Sequence, residues 1–522
     1  MLIVLMSALV TSTNIRAILQ QQYYGQLARE AAESGVIRAQ ACIDAGMASW
    51  SAPLRPQTDC TGGAPCTNNS NCFVISENNV RTSFAVTVPT GHNGRHQIKV
   101  TGTVELLRSA SGTPWRTVSH VQQADITRSV SIVPFDSTLG HACARINAQR
   151  LQCWGDNAQG QLGNGTTTLS MVPVEVDMTG VLAGKDITQI ATNDETSCVA
   201  DTQGGVYCWG SNAQGQLGNG THTSSSLPVA VNVSVFGGEV IQELDGGDLH
   251  MCAITVTGKV GCWGTNAYGQ LGIGSTAVDS TVPVLLDTSG ALAGKTIVQL
   301  VVGDHASCVV TSEGRLYCWG WNGYGTIGDG TTSTRRSPVE IDMSGVLAGK
   351  KIRMVAMGFH GCVLTEDNQL YCWGRNDYNQ TGDGTTTNRP SPVAVNMSGV
   401  LAGKTFTQII AGPYHTCVLS DQGLSYCWGK NDTGATGDGT TTFKNAPVAT
   451  DVSGVLAGKP LTMLTNGDDR TCGMDMAGNL YCWGWNGYGA LGIGNMVNQP
   501  SPILTHAAPM EVILGYRRAV LY

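Results

Sequence analysis

The sequence predicts a seven-bladed β-propeller, and two markers that recur in one phase predict it. Cys-Trp-Gly occurs seven times, beginning at Cys153, Cys208, Cys262, Cys318, Cys372, Cys427 and Cys482, in steps of 55, 54, 56, 54, 55 and 55 residues. A proline followed by Val or Ile keeps the same phase, at Pro173, Pro228, Pro283, Pro338, Pro392, Pro447 and Pro502. Short strands repeating at this period, with no long helix between them, form small radial sheets that can close into a ring. A superhelical solenoid is the alternative arrangement of such units.

Composition agrees with many tight turns and short strands. The 522 residues include 67 Gly, and only 13% are charged. The formal net charge is −8 and no Lys/Arg-rich run occurs. A nucleic-acid backbone would be repelled, so no nucleic-acid partner is expected.

Each repeat divides into recognisable elements. Phe406 to Ile410 is β-rich and reads as a strand. Cys417-Val418-Leu419 and Leu424 to Trp428 flank Asp421-Gln422-Gly423, which is a hairpin signature. A Gly-rich loop follows, Trp-Gly-x-Asn-x-x-Gly-x-x-Gly-x-Gly, seen at Trp154 to Gly165 and Trp319 to Gly330. Its glycines suit a backbone that needs positive φ or passes close to a neighbour.

This loop resembles the regulator of chromosome condensation repeat, with Trp154 to Thr166 and Trp209 to Thr221 as the best copies. The resemblance covers roughly residues 137 to 505 and implies a seven-bladed propeller. The founding member is a guanine-nucleotide exchange factor that works through a wedge inserted in one blade. Here the spacing stays between 54 and 56 residues, which leaves no room for such an insertion. Some bacterial relatives are secreted and bind other proteins.

The cysteines point to an oxidising compartment. Fourteen of the 18 form pairs spaced Cys-x9-Cys: Cys143 with Cys153, Cys198 with Cys208, Cys252 with Cys262, Cys308 with Cys318, Cys362 with Cys372, Cys417 with Cys427, and Cys472 with Cys482. Each pair brackets a hairpin turn, and a register centred near Asp367 sets Cys362 opposite Cys372 within bonding range. Disulfides are the expected state, and buried free thiols are the alternative. Zinc is disfavoured, because this spacing is not a usual ligand pattern and no His is regularly placed to complete four ligands. Disulfides imply a location at the cell surface or outside the cell.

Residues 1–45 are expected to form an apolar anchor and stalk helix, 46–128 a small domain, and 129–522 the propeller. Leu2 to Val10 is apolar but shorter than the roughly 20 residues that span a bilayer. Met1-Leu2-Ile3-Val4 reads as the middle of an apolar segment, so the chain is expected to begin upstream. Gln26 to Gly35 behind that helix resembles the stalk of type IV minor pilins. That resemblance implies a long N-terminal helix, a small pilin-like α+β domain, insertion in the membrane, and pilus subunits as partners. Thr82 to Val88 and Gln97 to Leu107 are its candidate strands, and Cys42, Cys60, Cys66 and Cys72 could form two bridges. The family's processing motif and following glutamate are not seen. A plain signal anchor with an unrelated small domain is the alternative.

No residue is assigned a catalytic, cofactor-binding or metal-binding role. Gly290 to Thr296 and Gly399 to Thr405 are one residue short of a phosphate-binding loop, and related copies at Gly180, Gly345 and Gly454 mark the segment as a turn. His141, His250, His360 and His415 each stand two residues before a cysteine, a repetition that favours a structural role. Asp329, Asp383 and Asp438 lack the companion carboxylates of a calcium site. No nucleophile and base are paired by spacing.

Candidate binding residues come from comparing the repeats with one another. After each Trp-Gly stand Asp156, Ser211, Thr265, Trp321, Arg375, Lys430 and Trp485, and three residues later Gln159, Gln214, Tyr268, Tyr324, Tyr378, Thr433 and Tyr488. Symmetry puts each set in a ring on one face. Trp, Tyr and Arg are enriched in binding hot spots, so Trp321, Tyr324, Arg375 and Tyr378 are the candidate ligand patch. The alternative is that these rings only pack against the next blade's loop. The expected protein is a pilus-associated or surface adhesin, not an enzyme, that binds a protein or glycan. Acidic and His residues converging at one end of the shaft would instead favour an enzyme. A reducing cytosol would favour a GTPase exchange factor. Strands near 130–133 and 510–514 are expected to meet and close the ring.

Overall fold

The computed structural model describes residues 135–137, 140–275, 279–507 and 510 in full, and the backbone of four strands between 74 and 127. The chain divides into two compact units, one within 1–129 and one within 130–519. In the first unit Val74–Ser76, Val80–Val86, Arg95–Leu107 and Pro114–Thr127 form one antiparallel meander. The expected helix over 1–45 and Cys42, Cys60, Cys66 and Cys72 lie outside the described residues.

The second unit contains seven four-stranded antiparallel sheets, each a meander in chain order. Blade one runs Phe135–Ser137, His141–Asn147, Arg150–Gly155 and Ser170–Glu175. Blade five runs Ile352–Met357, His360–Thr365, Leu370–Gly374 and Arg389–Ala394. Blade seven runs Leu461–Asn466, Arg470–Asp475, Leu480–Gly484 and Gln499–Leu504. The first strand of every blade lines a central shaft. The fourth strand is the outer edge, where Pro392 and its counterparts need no partner for the missing N–H.

The second and third strands form the hairpin that the cysteine spacing implies. Cys362 faces Cys372 in register. All seven pairs are disulfides, with Cα atoms 4.0–4.1 Å apart. Each closes a loop shorter than 15 residues, so each stabilises by somewhat under about 3 kcal/mol.

The motif Trp-Gly-x-Asn builds the seams. Each Trp is fully buried and donates its indole N–H to a backbone carbonyl of the preceding blade, as Trp373 does to Thr326 at 2.8 Å. A Cβ on Gly163 would lie 2.6 Å from the indole nitrogen of Trp209, and the six equivalent glycines meet the next tryptophan the same way. Only glycine lets the loop pass there, and φ of +66° at Gly163 adds a second reason. The motif asparagine then ties down its own loop. Asn322 donates to the carbonyls of Thr331 and Ser333 and accepts from the Ile327 amide.

The ring is closed. Trp154 of blade one donates to Ala490 of blade seven at 2.9 Å. Asp136 accepts from Thr192 of blade two and from Thr465 of blade seven. Phe135, Trp154, Leu480, Leu491 and Met510 share one core cluster across that seam. Among the described residues the first strand of blade one is Phe135–Ser137. Residues 130–133 and 511–514 lie outside them.

Candidate functional site

Two loops of each blade reach one end of the shaft. One joins the first and second strands, and the other follows Trp-Gly. A repeated backbone hydrogen bond ties them together: Trp321 donates to His305, Arg375 to Phe359, Lys430 to Tyr414 and Trp485 to Asp469, at 2.8–3.1 Å. The side chains that follow Trp-Gly therefore stand beside those three residues before the first cysteine.

This juxtaposition gathers the predicted patch. Trp321 and Tyr324 meet edge to face with centroids 4.9 Å apart. The Arg375 guanidinium lies 5.1 Å from the Tyr324 ring centre and 5.9 Å from that of Tyr378. It lies 5.2 Å from Tyr414 and 5.8 Å from Phe359, and its Nε donates to Asp377 at 2.8 Å. Lys430 sits 4.9 Å over Tyr414 and pairs with Asp469 at 2.8 Å. Tyr268 and His305 extend the cluster toward blade three, and Phe443 extends it toward blade six. Tyr268 is 41% exposed and Phe443 51%, while Trp321, Tyr324, Arg375 and Tyr378 are half-buried. The rings thus pack across blade boundaries and also present a face to solvent. Trp485 and Tyr488 pair with each other at 5.4 Å on blade seven.

Phe359, Tyr414 and His305 were absent from the sequence-derived patch, as was the set one residue earlier. There Asp194, Asp248, Asp304 and Asp468 come from blades two, three, four and seven to one central cavity. Burial, aided by mutual repulsion, raises the Asp194 carboxyl to about 7. Burial raises Asp248 to about 6, and burial with the same like charges raises Asp304 and Asp468. His305 Nδ1 is 3.4 Å from Asp248. Comparing the loops before the first cysteines, as was done for those after Trp-Gly, would have found both sets.

The histidines two residues before the first cysteine are fully buried and cross the seams. His141 bonds Ser197, His250 bonds Ser307, His360 bonds Thr416 and His415 bonds Thr471, at 2.6–2.9 Å. Each hydroxyl donates its proton to a carbonyl, so it accepts from the histidine Nε2–H. Burial keeps these imidazoles neutral, lowering His141, His250 and His360 to about 3 and His415 to about 4. The Asp-Gly loops are likewise internally matched: Asp329 takes Arg335, Asp383 takes Arg389 and Asp438 takes Lys444. No group of three or more His, Cys, Asp or Glu is placed to hold a metal among the described residues.

Seven closed blades with their varied chemistry at one end of the shaft define a seven-bladed β-propeller with a candidate binding face. The RCC1-like domain family matches residues 112–402 and, in an overlapping placement, 233–519, and the chain belongs to that family. It is 30% identical over 378 residues to the ultraviolet-B receptor UVR8 of Arabidopsis thaliana, covering 72% of this chain and 82% of that protein. It is 29% identical over 356 residues to the human E3 ubiquitin-protein ligase HERC2, covering 67% of this chain and only 7% of that protein. Prp20p of Saccharomyces cerevisiae shares the fold at a TM-score of 0.59 and 20% identity, over 72% of this chain and 87% of that one.

Proposed function

We propose that this chain displays a disulfide-stapled propeller outside the cell and binds a protein ligand through the face around Trp321, Tyr324, Arg375 and Tyr378. The observation that carries it is Arg375 held among four aromatic rings on a half-exposed surface. Aromatic side chains give large contact area at low entropic cost, and an arginine already held among rings has less freedom to lose on binding. Seven disulfides favour an oxidising location. The relative UVR8 bears the name of a receptor, which suits a recognition role. The N-terminal region is assigned to anchoring, in the membrane or with pilus subunits, so the whole chain acts as an adhesin. The test is capture of surface proteins, with a glycan array in parallel, by the full chain and by Trp321→Ala/Tyr378→Ala. Loss of a protein ligand in the variant supports the proposal. Undiminished capture, or binding to glycans alone, overturns it.

A second reading is a propeller enzyme, favoured by the carboxylates and His305 converging at the shaft. Mass spectrometry of the captured ligand separates the two. An intact ligand supports binding. A cleaved ligand whose cleavage stops in Asp468→Asn supports catalysis.

A further inference from the structure

Asp194, Asp248, Asp304 and Asp468 line a cavity of about 140 Å³ together with Ser137 and the ends of the first strands. Arg470 is a buried cation that acts electrostatically on Asp194 and Asp468 and also donates to the His141 carbonyl of blade one, one positive charge against four carboxyl groups. Lys430 is taken up by Asp469 and Asp432. Acidic charge at the mouth therefore exceeds the cationic charge supplied by the fold.

Two oxygens lining the cavity, one on blade four and one on blade one, point to a missing donor. The Oδ2 atom of Asp304 is closed off from solvent and takes no hydrogen bond. Ser137 is 3% exposed, lines the cavity, and its Oγ has no partner. Buried acceptors without donors are uncommon and costly, and a donor arriving from outside relieves them. A metal ion does not fit, because the acidic and His groups are not arranged around one point.

The rim fits an organic cation. Tyr268, His305, Trp321 and Phe359 form a connected ring cluster beside the carboxylates. Aromatic faces attract ammonium and guanidinium groups, and alkyl stems pack on them. A cavity of this size accepts one long side chain but no folded element. The chain's net charge of −8 attracts a basic partner at longer range.

We infer that the shaft mouth docks a basic segment of a protein partner, which inserts a lysine or arginine side chain among Asp194, Asp248, Asp304 and Asp468. This rests on the protein-binding function proposed above and names the chemistry of the ligand.

The probe is an acetylated tetralysine peptide, titrated calorimetrically into the full chain at low salt and alkaline pH, with tetraglutamate as control. The variant is Asp304→Asn/Asp468→Asn. It keeps side-chain shape and relieves like-charge crowding, so the fold survives, and a melting curve checks this. Tetralysine binds the parent protein, and the variant binds about tenfold more weakly or worse. Tetraglutamate gives no heat. Absence of tetralysine binding to the parent, equal binding by the variant, or equal binding of tetraglutamate overturns the inference. The two proposals fail separately. If the Asn variant still captures the protein ligand that Trp321→Ala/Tyr378→Ala loses, the inserted cation is wrong and the face stands. If the aromatic variant captures it undiminished, the face is wrong.

Discussion

The seams between blades and the mouth of the shaft are built from residues two positions apart on the same loops. Two residues before the first cysteine, neutral His250 donates its Nε2–H in a hydrogen bond to the Ser307 hydroxyl oxygen. Four residues before it, Asp248 lies beside other carboxylates and is pushed up by burial. In the seam, Gln270 O accepts from both Trp319 and Ser307, and the same double acceptance recurs at Gln161, Gln380 and Ala435. At the mouth, Asp304 Oδ2 is left without a donor. The difference separates stability from recognition: one level joins blade to blade through hydrogen bonds repeated around the ring, and the next gathers carboxyl groups around the cavity.

The largest expected effect lies in the seam. Trp373→Ala removes a fully buried indole and its hydrogen bond to Thr326. A loss of about 3–5 kcal/mol is expected in urea unfolding. Asp248→Asn at the mouth should cost nothing at neutral pH, since it removes a partly desolvated like charge. Equal losses for both would erase the distinction between seam and mouth.

Removing one staple comes next. Cys362→Ala/Cys372→Ala should cost somewhat under about 3 kcal/mol, read by the same unfolding curve. Peptide mapping without reductant should find all seven pairs oxidised within blades. Bridges between blades would contradict the hairpin register.

The pH dependence sharpens the contrast, because the two levels have opposite signs. The histidines' folded values, about 3 to 4, lie below the ordinary 6.5. As pH falls below 6.5 the unfolded chain takes up protons that the folded one refuses, so stability declines. The aspartates' folded values, about 7 for Asp194 and about 8 for Asp468, lie above the ordinary 3.8. Their contribution is full below 3.8 and lost as pH rises through those folded values. Melting temperature should therefore rise as pH drops from 8.5 to 6.5, then flatten, then fall below about 4. In Asp194→Asn/Asp248→Asn/Asp468→Asn the alkaline-side slope should shrink to what buried Asp304 supplies, while the acid-side fall remains. An unchanged profile would show that the carboxylates are not crowded.

Much of the propeller was legible because its constant residues do mechanical work at every seam. Trp, Gly and Asn after each second cysteine answer to one geometry repeated seven times, so their spacing gave blade number and hairpin register together. The patch was half legible. Trp321, Tyr324, Arg375 and Tyr378 vary within one loop and were found by comparing that loop across blades. Phe359 and Tyr414 belong to a different loop, brought alongside by the bonds from Arg375 and Lys430 to their carbonyls. No spacing within one repeat shows that bond. The aspartates hold one position of the loop before the first cysteine in four blades, which a comparison of that loop across blades shows, but that Asp304 and Asp468 line one cavity follows only from closure of the ring.

The smallest expected effect on stability is in the aromatic face, and its smallness is the point. Trp321 touches Tyr324, His305, Phe359 and Tyr268 edge to face or nearly so. Its contacts across the blade boundaries are ring contacts alone: the tryptophan two residues earlier in its repeat, Trp319, makes the indole hydrogen bond to the neighbouring blade. Aromatic pairs contribute about 0.5–1.5 kcal/mol beyond area burial, and a half-exposed ring loses part of that to solvent. Trp321→Ala should therefore cost about 1 kcal/mol or less in urea unfolding. The rings would then be present for a reason other than packing, and ligand capture should fall while the melting curve barely moves. A loss of several kcal/mol, close to that of Trp373→Ala, would place Trp321 with the seams and leave Arg375 and its rings as interblade packing.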